Sequence, residues 1–125
     1  DAEASDGDRD RMSAASIRFC FDYISSNAYL AWTQLPALAA RHGAAVEPVP
    51  VLFAGLLEAH GQLGPAEVRP KALWMFKNNL RKAALLGLTL RPPRFHPFNP
   101  LLPLAKAPAH SAICLISAAA WTSGW

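Results

Sequence analysis

Cysteine is scarce in this chain, with only Cys20 and Cys114 among 125 residues. The two stand far apart, form no CxxC pair and match no metal-ligand spacing. The cysteine spacing therefore gives no sign of a CxxC dithiol centre or of a cysteine metal site. So few cysteines also argue against a disulfide framework and for a reducing, cytoplasmic setting. Long apolar runs are missing: none reaches the ~20 residues that span a bilayer. The start is acidic and lacks the basic-then-apolar order of a signal peptide. Acidic residues themselves become rare after residue 11, where only Asp22, Glu47, Glu58 and Glu67 face ten lysines and arginines. That balance favours anionic partners by long-range attraction. No zinc finger, RNA-recognition signature or basic-aromatic run accompanies it, so the expected partner is a small molecule and not nucleic acid.

What is abundant is apolar surface and proline. Hydrophobic residues make up 52% of the chain, and there are eleven prolines. This length and composition suit one compact domain, heavily punctuated. Residues 1–16 are small, polar and charged and read as a disordered arm, with Met12 as a candidate natural start. From Ile17 to Asp22, Ile17, Phe19 and Phe21 alternate with Arg18 and Cys20, which predicts a strand. Cys20 reads as a small buried hydrophobe.

Ser25, Ser26 and Asn27 offer three successive helix N-caps. From Ala28 to His42 the pattern is helical, with Ala28, Ala31, Trp32, Leu35, Leu38 and Ala39 on one face. Pro36 predicts a kink and Gly43 a stop. Val46 to Leu52 reads as a second strand, confined to a sheet edge by Pro48 and Pro50. Strand, helix and strand at this spacing form a βαβ unit with parallel strands.

Farther on, Leu56 to His60 reads as a short helix and residues 61–65 as a turn. Pro70 opens a longer helix running to about Leu86, with Leu73, Phe76, Leu80, Ala83 and Ala84 as its buried stripe and Gly87 as its end. The segment RPPRFHPFNP, residues 91–100, predicts a stiff extended loop in which His96 is an anchor. His42 and His60 fall at helix ends, where a partial negative charge favours them.

The chemistry concentrates where the first strand meets the first helix. Parallel βαβ units place ligands at the carboxyl ends of their strands. A helix N-terminus there offers free N–H groups and a partial positive charge, which stabilise anions, thiolates included. Ser25 has two readings on these residues alone: an ordinary cap, or a cap whose hydroxyl also faces a bound thiolate. A serine-hydrolase reading fails for want of a GxSxG elbow.

The stretch FCFDYISSNAYLA, Phe19 to Ala31, resembles the opening FxFDxxSxxxYLA of the 2-hydroxychromene-2-carboxylate isomerase and kappa-class glutathione transferase family. The similarity continues through Leu35 to Leu38, Val49 to Gly55, Gly64-Pro65, Pro70-Lys71, Leu80-Arg81 and His96 to Pro100. The resemblance implies an α/β, DsbA-like thioredoxin fold split by an all-helical insertion. Residues 17–52 would form the first βαβ half and residues 53–104 the start of the insertion. Residues 105–125 form a tail unlike the family, as though the chain were truncated after about residue 104 and the second thioredoxin half were missing.

The family's glutathione dependence implies glutathione as cofactor here. Ser25 would contact its sulfur, and Ser25, Ser26, Gln62 and Lys71 would line its site. Gln62 stands where an asparagine is common, Asn78 where an acid is frequent, and Lys71 reads equally as a solvated surface lysine. Ser25-Ser26-Asn27-Ala28 replaces the CxxC of dithiol relatives, so a bound glutathione would have to bring the thiol. The implied reaction is thiolate addition to an electrophilic, conjugated, aromatic substrate, in isomerisation or conjugation. The alternative is a non-catalytic thioredoxin-like binding module. In either case a half-domain is expected to be weakly stable or to form a homodimer through exposed apolar surface.

Overall fold

The computed structural model describes residues 15–92, 99–101 and 105. Its elements run strand β1 (Ser16–Phe21), helix α1 (Ser26–Arg41), strand β2 (Ala45–Pro50), helix α2 (Phe53–Ala59) and helix α3 (Arg69–Leu85). Strands β1 and β2 pair in parallel, with Phe19 opposite Pro48 and Phe21 opposite Pro50. The βαβ start and its two parallel strands therefore match the sequence pattern, with boundaries shifted by one or two residues. Of the arm read as residues 1–16, Ser16 instead belongs to β1 and Ala15 O accepts from Ala45 N–H; residues 1–14, the anchor reading of His96 and the tail from residue 106 lie outside the described residues.

The prolines of β2 explain which way the sheet faces. Ala45 N–H donates to Ala15 O, and Val51 N–H donates to Phe21 O, both at 2.8 Å. Odd-numbered amides of β2 therefore point at β1, because successive amides of a strand alternate in direction. Pro48 and Pro50 fall on the even, outward side. They have no N–H to offer, so the outer edge of β2 presents a poor template for another strand.

Alternation along β1 turns Phe19 and Phe21 toward α1. Phe19 stacks on Trp32 at 5.7 Å between ring centroids, and Phe21 meets Tyr23 edge-on at 5.2 Å. Phe21, Tyr23 and Trp32 form a buried cluster, with Phe19, Ala28 and Val46 packed against it. Such aromatic pairs contribute roughly 0.5–1.5 kcal/mol each beyond the area they bury. The opposite face of β1 carries Arg18 and Cys20, and Cys20 is exposed, contrary to its reading as a buried hydrophobe. The same alternation is the cause: packing Phe19 and Phe21 on α1 sends residue 20 to the face that no described element covers.

Helix α1 continues unbroken through Pro36. It buries two sides, which differ in part from the predicted face. Trp32 and Ala39 are buried as expected, but Ala31 and Leu38 are exposed, and Tyr29 and Leu30 are buried instead. The second side exists because α3 packs there: Tyr29, Leu30, Ala83 and Leu90 form a second core cluster. Helix α3 is likewise rotated from expectation. Leu73, Leu80 and Ala84 face outward, and its buried residues are Asn79 and Ala83. Ala83 packs with Tyr29 and Leu30 of α1, and the contact line falls one residue away from the leucines.

Gly43 and Gly87 end α1 and α3 in the left-handed region, with φ of 63° and 68°. Nothing lies within 4 Å of a Cβ built on Gly43. Gly43→Ala therefore meets only backbone strain and is expected to cost about 1 kcal/mol in a denaturant titration.

Candidate active site

The turn Asp22-Tyr23-Ile24-Ser25 connects the carboxyl end of β1 to α1, and its hydrogen bonds set the geometry. Ser25 N–H donates to Asp22 O at 3.1 Å, closing the turn. Ser25 then caps α1: its Oγ accepts from Ala28 N–H at 3.1 Å. Of the three cap candidates in the sequence, Ser25 is the one used. The amides of Ser26 and Asn27, in the first turn, have no acceptor within the described residues. They remain free for an anion, with the helix dipole behind them.

Asp22 organises the same junction from below. It is buried, and its Oδ1 accepts from Ile24 N–H at 3.3 Å while its Oδ2 accepts from Phe53 N–H at 2.8 Å. Phe53 opens α2, whose N-cap Leu52 has no side-chain bond to give. The Asp22 carboxylate thus caps a helix that lies 31 residues onward in the chain. Tyr23 is buried beside it, and that burial pushes its phenol up from the ordinary value of 10.0.

These elements enclose a cavity of about 470 Å³. Ser25, Ser26 and Asn27 form one wall, Phe53, Ala54 and Leu57 of α2 another, and Gln62 with the Gly64-Pro65 loop closes the rim. Met75 of α3 completes the lining. Most of the wall is apolar, as is usual for small-molecule sites with a few converging polar groups. Its charges are negative: Glu58 and Glu67 belong to the lining, and no described lysine or arginine does. Glu67 Oε2 also accepts from Gly64 N–H at 2.6 Å, which holds the loop in place.

Three of the four residues named from the sequence, Ser25, Ser26 and Gln62, meet at this cavity. Lys71 does not belong to the lining; it is exposed in the first turn of α3. The structure also brings forward residues that sequence reading passed over. Asp22 stood within the quoted motif, but only as the end of a strand. Asn79 lies on α3, is almost wholly buried, and donates through Nδ2 to Ser26 Oγ at 2.7 Å. An asparagine at a helical core position was its only signal. Among the described residues, no cluster of His, Cys, Asp and Glu could hold a metal ion. No described helix is long and apolar enough to cross a membrane.

A parallel βαβ unit, a serine-capped helix at the carboxyl end of its first strand, and a following helix whose first amide is held by Asp22 at that end define an α/β protein with a thioredoxin-like start. A solved structure with this fold is that of 2-hydroxychromene-2-carboxylate isomerase. The two superpose with a TM-score of 0.75 over 87% of this chain, at 23% sequence identity. The resemblance read from the motifs thus holds at the level of the fold. The chain spans 57% of that isomerase's length. No protein-family model matches the chain, and no curated protein matches it in sequence.

Proposed function

We propose that this chain carries the thiol-binding part of a glutathione-dependent enzyme of the 2-hydroxychromene-2-carboxylate isomerase or kappa-transferase type. The observation that carries the reading is the Ser25-capped start of α1, with two unpartnered amides, opening on an apolar cavity. The residues present suit the sulfur end of glutathione. The hydroxyls of Ser25 and Ser26 and the amides of Ser26 and Asn27 would hold a thiolate, and Gln62 would bond the peptide portion. Glu58 or Glu67 suits its ammonium group. The carboxylates find no cation in the lining, so Lys71, exposed outside it, is the group we assign to one of them.

Bound glutathione would supply the nucleophile that Ser25-Ser26-Asn27-Ala28 lacks. The chain's own part is to keep that sulfur ionised, by hydrogen bonds and the helix dipole, and to hold an electrophilic conjugated substrate against it. The apolar wall of Phe53, Leu57 and Met75 suits an aromatic substrate. Covalent addition by a thiolate replaces one high barrier with lower ones.

Titration with glutathione, followed by calorimetry and by amide shifts in NMR, tests the reading. Saturable binding that shifts the Ser25, Ser26 and Asn27 amides is expected. Absence of saturable binding would leave the alternative, a non-catalytic binding module. The exposed Leu73, Trp74 and Leu85 of α3 are the apolar surface on which that second reading rests.

A further inference from the structure

We infer that Asn79 is a positioning residue that fixes the Ser26 hydroxyl as a donor into the cavity. The inference rests on the thiolate-binding reading of the α1 start. Asn79 is 1% exposed, and its Nδ2 donates to Ser26 Oγ at 2.7 Å across 53 residues of chain. A serine hydroxyl has one proton to give and two lone pairs to accept with. Asn79 occupies a lone pair, so the proton is left for another acceptor. Ser26 is itself buried at 6% exposure yet contributes to the cavity wall. We take the cavity beside the free amides of Ser26 and Asn27, which Ser26 helps to line, as the space into which that proton is given.

A helix tether alone would not select asparagine here. The Asn79 Oδ1 is buried and has no partner among the described residues. An apolar side chain would pack α3 on α1 without that desolvation cost. The charges around the site explain why an extra donor matters. Glu58 on α2 and Glu67 in the loop face the cavity, and each disfavours an anion there. The Asp22 carboxylate, in the turn below, is engaged by the amides of Ile24 and Phe53. Against these stand the α1 dipole, two amides and the hydroxyls of Ser25 and Ser26. Orienting the second hydroxyl adds a hydrogen bond that is much stronger to the thiolate than to the thiol, a weak acceptor, and so lowers the sulfur's pKa.

Two measurements test this. In the first, the thiol of glutathione bound to the full chain is titrated by its thiolate absorbance, with Ser26→Ala as the comparison. Ser26→Ala is expected to raise that pKa by about one unit. The second needs no glutathione. A reporter thiol is placed by Ser26→Cys in a Cys20→Ala, Cys114→Ala background and titrated with and without Asn79→Leu, or Asn79→Ala if the leucine variant does not fold. The reporter is expected to titrate below the ordinary ~8.5 of a free cysteine, and loss of Asn79 to raise it by about one unit. A reporter that titrates as an ordinary cysteine with Asn79 present overturns the inference. So does one that is unmoved by an Asn79 substitution in a folded protein. Failure of the wild-type chain to bind glutathione overturns the proposed function instead, and the reporter then decides the role of Asn79 alone.

Discussion

Asp22→Ala is expected to cost about 3 kcal/mol of stability, seen as a lower denaturation midpoint with an unchanged slope. The carboxylate is buried at 4% exposure and accepts two backbone amides, those of Ile24 and Phe53. Hydrogen bonds to an ionised acceptor contribute roughly 1.5–3 kcal/mol each, and alanine leaves both donors without a partner. The loss also has a direction. Phe53 begins α2, whose own cap residue, Leu52, makes no side-chain bond. Without Asp22, α2 loses its only described side-chain cap. With α2 go Phe53, Ala54 and Leu57 of the cavity wall, so glutathione affinity should fall together with stability. Asp22→Asn keeps the shape and one acceptor oxygen but turns a second amide donor toward the backbone donors. It should recover no more than about half of the loss. An alanine variant within ~0.5 kcal/mol of wild type would show that α2 is held by packing alone.

Ser25→Ala is expected to weaken thiolate-dependent activity about 100-fold, the scale for removing one donor from a preorganised anion site. The same substitution removes the N-cap of α1, costing about 1 kcal/mol of stability. The two effects separate with Ser25→Asp. Aspartate caps a helix as well as serine does, since its carboxylate can accept from Ala28 N–H, so stability should return. Its negative charge would repel a thiolate, so glutathione binding and activity should not. Recovery of both by aspartate would reduce Ser25 to an ordinary cap.

Much of the fold could be read from local pattern. Alternation at Ile17, Phe19 and Phe21 announces β1, and the serines that follow announce the start of α1. Pro48 and Pro50 make β2 an edge strand before any pairing is known, and the structure shows why: both sit on the side facing away from β1. Gly43 and Gly87 were legible as helix ends because positive φ carries little penalty without a Cβ. The exposure of Cys20 and the inward faces of α1 and α3 were not. Each depends on which surface a neighbour covers. Helix α1 serves two cores, one through Trp32 and one through Tyr29 and Leu30, and a single apolar face could not anticipate that.

The start of α1 divides in the same way. The sequence by itself determined that one of Ser25, Ser26 and Asn27 would cap the helix following β1, and that no cysteine would stand there. Both are properties of a few adjacent residues, and capping depends on chemistry within one turn. Only the tertiary structure decided what that helix start faces. The Asp22 bond to Phe53 and the Asn79 bond to Ser26 join residues 31 and 53 positions apart. They arise because α3 packs against α1 and the start of α2 reaches the Asp22 carboxylate, and no local pattern records which distant polar group will arrive at a buried hydroxyl or amide. The cavity is the space those long-range contacts leave between the elements, and so it belongs to the folded chain alone.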